Sequence, residues 1–407
     1  MMNTLKLALR NVFRNKRRTA ITFLSIIAAS AAIIVFGGFI AFAFESLREV
    51  TIRTQLGHLQ IAKKGYFDQG AGMSAQLLID NPAEIEKSLR QSPLVNTTTW
   101  RLTGSGLISA GDASLSARLV GVLPEREEDF AAYETVIAGT QLDKDSPQGC
   151  VIGSGLAKGL NAREGATLTI LSSTFDGMVN AIDCTLTGIV RTASKEYDNV
   201  YVKVPLPLLQ RLFNTTKVEK ILVLAKDSNQ MPQIEQLATR AIAGHPDLEY
   251  RTWLELAEYY RGVVNLYTGI FTLTAMVLGV VVFLSIANTM SMSAFERFRE
   301  IGALRAIGQT RAGIVALFVG EGALIGLIGG LLGLAVGALA AWLINHGGGI
   351  AMPAPPGMTS GYTALIAFSP RAFAVAFFIA LLASTLSSLY PAWLASRIDI
   401  IKALHHT

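Results

Sequence analysis

Side chains able to do chemistry are sparse in this sequence, and the densest group of them is Asn288–Arg311, NTMSMSAFERFREIGALRAIGQTR. It sets Arg297, Arg299, Arg305 and Arg311 against Glu296 and Glu300, between two long apolar runs. Gly262–Ala294 carries no charge, and Ala312–Pro370 carries only Glu321. Phe295, Phe298, Ile301, Leu304 and Ile307 recur every third residue, close enough to the helical period to be read as one face. Gly302 and Gly308 interrupt the pattern, and Gly308 is placed to end it. The chemistry of such a segment is docking. Phe298 and Ile301, beside Phe295, would anchor in an apolar groove of a cytoplasmic partner, while Glu296, Arg299, Glu300 and Arg305 fix register. The plainer alternative is a solvated loop. Glu321, ten residues into the second run, is an acid at membrane depth, where an uncompensated charge is costly. It is read as a structural or gating group, protonated or paired with an arginine near the cytoplasmic face, rather than as a proton carrier.

Other reactive constellations are missing. There is no G-x-x-x-x-G-K-[ST], so no nucleotide is expected on this chain through a P-loop. Neither H-E-x-x-H nor C-x-x-C occurs, and His58, His245, His346, His405 and His406 lack metal-ligand spacing. G-x-S-x-G is absent as well. No catalytic residue, cofactor or metal is therefore expected here. The two cysteines, Cys150 and Cys184, both fall in a segment outside the apolar runs. In an oxidising compartment they would be a disulfide; two buried free thiols are the equal alternative.

The elements that position these residues follow from hydropathy and charge. The chain is 51% hydrophobic with a net charge of +5, the composition of a membrane protein with a sizeable soluble part. Its basicity is uneven. Ser46–Arg261 holds 22 Lys/Arg against 25 Asp/Glu, whereas Met1–Arg18, Phe295–Arg311 and Arg397–Thr407 together hold 12 against 3. Basic residues concentrated in short flanks mark the cytoplasmic side and argue against a nucleic-acid partner.

This divides the chain into a basic amphipathic helix at the phospholipid surface (1–18), a first span (19–44), an extracytoplasmic α+β domain (45–260) and a second span with a stalk extension (261–294). A coupling helix (295–311), a third span (312–344), an outer loop (345–370), a fourth span (371–393) and a cytoplasmic tail (394–407) follow. Both termini are then cytoplasmic. The first run is too long for a signal-peptide core and is retained. Within the large domain, strands are expected at 58–62, 102–110, 114–123, 167–171, 184–190, 221–225 and 248–253. Helices are expected at 153–161, 205–213 and 232–243. A helix from about Leu254 is expected to run unbroken into the second span. The third span carries two glycine ladders, Gly322/Gly326/Gly330 and Gly329/Gly333/Gly337. Small residues every four positions let helix backbones approach, so a helix–helix seam is expected here.

The motif NTM-x-MS-x-x-ER-x-REIG-x-x-RA-x-G, together with LALRNVFRNKRRT near the start and YPAWLASRIDIIKAL at the end, resembles the FtsX/MacB-like permeases of ABC transporters. The layout is most similar to the lipoprotein-releasing branch, and LVGVLPEREEDF and ASKEYDNVYVKVPL resemble it too. The resemblance implies an integral α-helical membrane protein with four spans and a porter-like periplasmic lobe holding an inserted lobe, placed at about 124–190. It implies the inner membrane as location, a second permease subunit as a homo- or heterodimeric partner, and two copies of a separate ATP-binding subunit that carry the ATP and Mg. Function would be mechanotransmission, in extraction of an amphiphile such as a lipoprotein toward a periplasmic carrier. The alternatives are drug or peptide efflux with a membrane-fusion partner, regulation of a cell-wall hydrolase, or a membrane enzyme.

Overall fold

The computed structural model describes residues 16–69, 74–192, 194–353 and 361–397. Most of the expected amphipathic helix at 1–18, the tail beyond Arg397 and the centre of the 345–370 loop lie outside them. The described chain forms two compact units, one made of long apolar helices and the other the α+β domain.

The first helix, α1 (Lys16–Thr51), outruns its uncharged stretch by seven residues. It passes through a π-helical turn at Ile52–Leu56 and stops at Gly57, whose φ of +64° favours glycine. Then follow β1 (Leu59–Lys63), the single turn α2 (Tyr66–Gln69) and α3 (Pro82–Arg90), which starts with a proline at its first position. Next come β2 (Val95–Ala110), β3 (Ala113–Val122), β4 (Thr135–Gly139), β5 (Gly149–Gly153) and α4 (Ser154–Leu160). The domain continues with β6 (Thr167–Ser173), β7 (Val179–Arg191), α5 (Lys195–Asp198), β8 (Tyr201–Pro205) and α6 (Leu206–Phe213). It closes with β9 (Lys220–Ala225), α7 (Met231–Ala241), β10 (Leu248–Thr252) and the turn α8 (Trp253–Leu256).

Strand β2 belongs to two substructures. Its first half, Val95–Arg101, pairs antiparallel with β9, which continues through β1 to β10. Helices α3 and α7 cover one face of this sheet, placing Ile85, Leu89, Ile234 and Ala238 against Ile61, Val95 and Val223. The second half, Leu102–Ala110, pairs with β3 and, at Leu107–Ser109, with β6. From there β3 pairs with β8, β8 with β5, β5 with β7 and β7 with β6. These pairings return to β2 and close a six-stranded barrel. Strict alternation along β6 sends Leu168 and Ile170 inward and Thr167, Thr169 and Leu171 outward. Ile108, Leu119, Ile152, Leu186 and Val202 complete the interior. The inserted lobe is therefore larger than the expected 124–190. It begins in the middle of β2 and takes in β3 and β8, because closure depends on long-range pairing that no local punctuation marks.

After a break at Ala257, α9 (Glu258–Glu296) runs 39 residues, about 58 Å at 1.5 Å per residue. The expected unbroken start near Leu254 is corrected by this break: Thr252 N–H donates to the Glu255 carboxylate (2.8 Å), which caps α8 as a separate turn. Then come α10 (Phe298–Ala306), α11 (Arg311–His346), a short ribbon of β11 (Ile350–Met352) and β12 (Tyr362–Ala364), and α12 (Pro370–Ser396). Four helices among the described residues are long and apolar enough to cross a membrane: α1, α9, α11 and α12.

Candidate functional site

The charged island folds as α10, bounded by two backbone breaks. At its start Arg297 sits at φ −104°, ψ 16°, outside helical values. At its end Gly308 takes a φ of +100°, and the Thr310 hydroxyl then accepts from Gly313 N–H (3.1 Å) to cap α11. The outward surface across the break carries Phe295 and Glu296 from the last turn of α9 and Phe298, Arg299 and Glu300 from α10, with the Phe295 and Phe298 rings stacked at 5.8 Å between centroids. Ile307 is 85% exposed.

Two expected docking residues point the other way. Ile301 is buried with Ala294, Ile314, Phe318, Ala392 and Ala395, and Gly302 is buried beside it. Arg305 is half-buried and donates through Nη1 to the Ser396 carbonyl at the end of α12. The reason is geometric. A three-residue period falls about 60° short of a full turn at each step on a 3.6-residue helix, so Phe295 through Ile307 cannot share one face. Ile301 and Arg305 hold α10 to its own bundle, and the outward anchor is Phe295 with Phe298.

Glu321 is paired, as one of its two expected states required. Arg297 Nη1 donates to both of its oxygens, at 2.9 and 3.2 Å, while Arg297 Nε donates to Glu300 at 3.0 Å. The guanidinium lies 5.6 Å from the centre of the Phe318 ring. Arg297 was missed as a site residue. The available signal was an intramembrane acid one short helix away from an arginine.

The two glycine ladders form two seams. A Cβ on Gly322 would lie 2.7 Å from the Ser384 carbonyl of α12; Gly326 meets Ser384 and Ala380, and Gly330 meets Ala380 and Phe377. Gly329, Gly333 and Gly337 instead face Ile26, Ser30 and Ile34 of α1. One helix thus presents a glycine face to each of two neighbours. Helix α9 is different. Leu266, Ile270, Leu273, Val277, Val280 and Leu284 lie exposed along it at alternating spacings of four and three, a 3.5-residue repeat.

In the outer domain, Cys150 and Cys184 point into the barrel as buried thiols with their sulfurs 2.6 Å apart. At the end of α1, Glu49 accepts from Ser228 Oγ (3.3 Å), and Ser228 Oγ lies 2.8 Å from His58 Nε2. Ala225 N–H donates to His58 Nδ1 (3.1 Å), which leaves Nε2 to carry the proton of the neutral ring and donate it to Ser228. Burial holds the imidazole well down, to about 4. No cluster of three metal-ligating side chains occurs among the described residues.

Comparison with known proteins agrees with this architecture. Residues 19–241 match the MacB-like periplasmic core domain, and residues 267–400 match the FtsX-like permease C-terminal domain. An uncharacterized ABC transporter permease of Methanocaldococcus jannaschii is 29% identical across 51% of this chain and 51% of its own length. The lipoprotein-releasing system transmembrane protein LolE of Haemophilus influenzae is 24% identical across 79% of this chain and 80% of its own. The macrolide export ATP-binding/permease protein MacB of Agrobacterium fabrum is 25% identical across 99% of this chain and 60% of its own. The chain thus spans about half of the first relative and 60% of the third. The periplasmic region of MacB from Actinobacillus actinomycetemcomitans aligns over 53% of this chain and 96% of its own at a TM-score of 0.39 and 16% identity. With the periplasmic core matched over more than half its length and the permease domain over its last third, the chain belongs to the FtsX/MacB-like permeases of ABC transporters.

Proposed function

We propose that this chain is a non-catalytic membrane subunit that turns ATP hydrolysis on a separate ATP-binding subunit into movement of its outer domain. The observation that carries the reading is the outward surface where α9 meets α10: a stacked Phe295–Phe298 pair flanked by Glu296, Arg299 and Glu300, beside a helix fixed from behind by Ile301 and Arg305. Apolar anchor and oriented charge together fit a groove with an apolar floor and charged rims. ATP and Mg belong to that partner, in two copies for two permease subunits. The exposed apolar face of α9, the least buried of the four spans among the described residues, supports pairing with a second permease.

The basic residues Arg17, Arg299, Arg305, Arg311 and Arg397, gathered in short flanks of the spans, support a cytoplasmic α10 and cytoplasmic termini, with the large domain outside and the inner membrane as location. The cargo is an amphiphile taken from the outer leaflet, such as a lipoprotein. Alignment with LolE over four-fifths of both chains favours this class, with a periplasmic carrier as acceptor. The match to the MacB-like periplasmic core supports efflux with a membrane-fusion partner as the second reading.

The test is co-purification of the ATP-binding subunit together with transport in reconstituted vesicles. Like charges brought together at an interface cost several kcal/mol, so Glu300→Arg should reduce capture at least about tenfold. Phe298→Asp should do the same while the outer domain stays folded. Wild-type capture and transport by both variants would sink the reading.

A further inference from the structure

Helix α10 is joined to its neighbours by non-helical backbone at both ends, at Arg297 and at Gly308. Such a segment can pivot at its ends unless side-chain ties hold it to the bundle. Ile301 packs there without direction. Two directional ties are Arg305 to the last turn of α12 and Arg297 to Glu321 on α11. The second is the more rigid. One guanidinium nitrogen is shared by both oxygens of Glu321, Nε is held by Glu300, and the Phe318 ring faces the cation. Arg297 is 8% and Glu321 3% exposed.

We infer that the Arg297–Glu321 pair is a force-bearing latch, which makes α10 and α11 move as one body when the ATP-binding subunit shifts α10. The inference rests on the docking reading above and assigns positioning roles to two residues outside the docking face. Its physical basis is that a buried ion pair is a poor source of stability, because desolvation offsets the attraction, yet it enforces one geometry strongly. A guanidinium held through Nη1 by Glu321 and through Nε by Glu300 is fixed in direction as well as distance. Glu321 also sits one residue before Gly322, the first member of the ladder that seats α11 on α12. A pull on Arg297 is therefore delivered to the helix whose glycine faces seat it on both α12 and α1. Without the latch, α10 would pivot on its two backbone breaks and leave α11 behind.

The experiment uses the full chain in nanodiscs with its ATP-binding subunit, in a Cys150→Ser/Cys184→Ser background. Spin labels on Ala306→Cys of α10 and Leu332→Cys of α11, both exposed positions, report the intrachain distance before and after a non-hydrolysable ATP analogue is added. In the otherwise wild-type chain the distance should hold to about 1 Å. In Glu321→Gln, which keeps the side-chain shape but removes its charge, the distance before nucleotide should match wild type. Nucleotide should then shift it by about 3–5 Å, less than the 5.4 Å of one helical turn. Capture of the ATP-binding subunit should be unchanged, because the docking face is intact. The double variant Arg297→Glu/Glu321→Arg should restore the fixed distance. Arg297→Lys, which keeps the charge but cannot hold Glu321 and Glu300 through two separate nitrogens of one plane, provides the same measurement if Glu321→Gln fails to assemble.

A nucleotide response identical to wild type in these variants would overturn the latch. So would a distance already changed before nucleotide, which is the mark of a merely structural pair. Failure of the docking reading would look different, as absent capture by the wild-type chain itself.

Discussion

Helices α9 and α11 flank the same short helix α10 and have nearly equal mean hydropathy, 2.5 and 2.3 over their most apolar windows. They are nevertheless packed differently. In α11 the six ladder glycines each meet a neighbour's backbone or side chain. In α9, Gly262 and Gly269 face open space, and only Gly279 has a neighbour, the Ile379 methyl at 3.3 Å. What distinguishes the two is packing rather than hydropathy. Four-residue glycine steps seat α11 against α12 and α1, whereas α9 has no such ladder and keeps most of its apolar side chains exposed. Their outer ends contrast too. Helix α1, which α11 grips, ends in the Glu49–Ser228–His58 joint, while α9 begins after the break at Ala257.

The largest effect should come from filling the glycine faces. At Gly326 a Cβ would overlap Ser384 Oγ and approach the Ala380 carbonyl at 2.9 Å, so the backbone must move. Overpacking costs about 1–3 kcal/mol and sometimes more, and Gly326→Leu should reach or pass the upper end. Gly333→Leu should do comparable damage at the other seam, against Ser30 of α1. Yield and melting temperature in detergent are the measurements. Partial recovery of Gly326→Ala by Ser384→Gly would assign the first ladder to α12, and wild-type melting of both leucine variants would erase the contrast with α9.

The joint at the end of α1 should give the next effect. Burial holds His58 neutral, with a folded-state value of about 4 against 6.5 ordinarily. Between those values the unfolded chain binds a proton that the folded chain refuses. Stability is therefore fully present above about pH 6.5 and falls as the medium is acidified toward pH 4. From pH 7.5 to pH 5 the loss should be about 2 kcal/mol. Denaturant unfolding of wild type and His58→Gln at both pH values isolates it. An equal acid loss in the two would show that His58 is not the group responsible.

A smaller effect is expected on α9. In a seam between two copies, Leu273→Ala should weaken association about tenfold, or about 1.4 kcal/mol, while leaving the melting temperature of each chain nearly unchanged. Leu273→Cys should cross-link two chains on oxidation, whereas Leu386→Cys, equally exposed on α12, should not. Cross-linking at Leu386 alone would move the seam to the other helix.

How much of this was legible in the sequence depended on the range of the interaction. The spans, the glycine ladders and the ending at Gly308 are local patterns, and the structure places elements there. The six-stranded barrel is not local. It closes through β3 with β8 and β5 with β7, strands far apart in sequence, so its extent and the meeting of Cys150 with Cys184 could not be read from composition. Strands β4, β5 and β8 and helix α3 were not anticipated at all. The face of α10 was legible only in part: a three-residue repeat suggests one shared face, but on a 3.6-residue helix it drifts, so Ile301 and Arg305 turn to the bundle. Glu321 was recognised as anomalous from its surroundings. Its partner needed the turn at Gly308, which folds α11 back beside Arg297.

The smallest expected effect tests the open side of the comparison. Gly269 lies in α9 with nothing within 4 Å of where its Cβ would be, three residues from Leu266 and one from Ile270. Gly269→Leu therefore meets no packing barrier within the chain and replaces a poor helix former with a good one, a difference of up to about 1 kcal/mol in a water-exposed helix. Within a bilayer, where every backbone hydrogen bond of a helix is already retained, the gain should shrink to a few tenths of a kcal/mol. The variant should therefore melt within about 1 °C of wild type and give the same yield. Association then separates the remaining possibilities. If Gly269 borders the seam between copies, the added side chain should weaken cross-linking through Leu273→Cys without touching the melting temperature. If it faces lipid, neither should change. A drop in melting temperature like that of Gly326→Leu would mean that α9 is packed as closely as α11, and the distinction between the two helices would be lost.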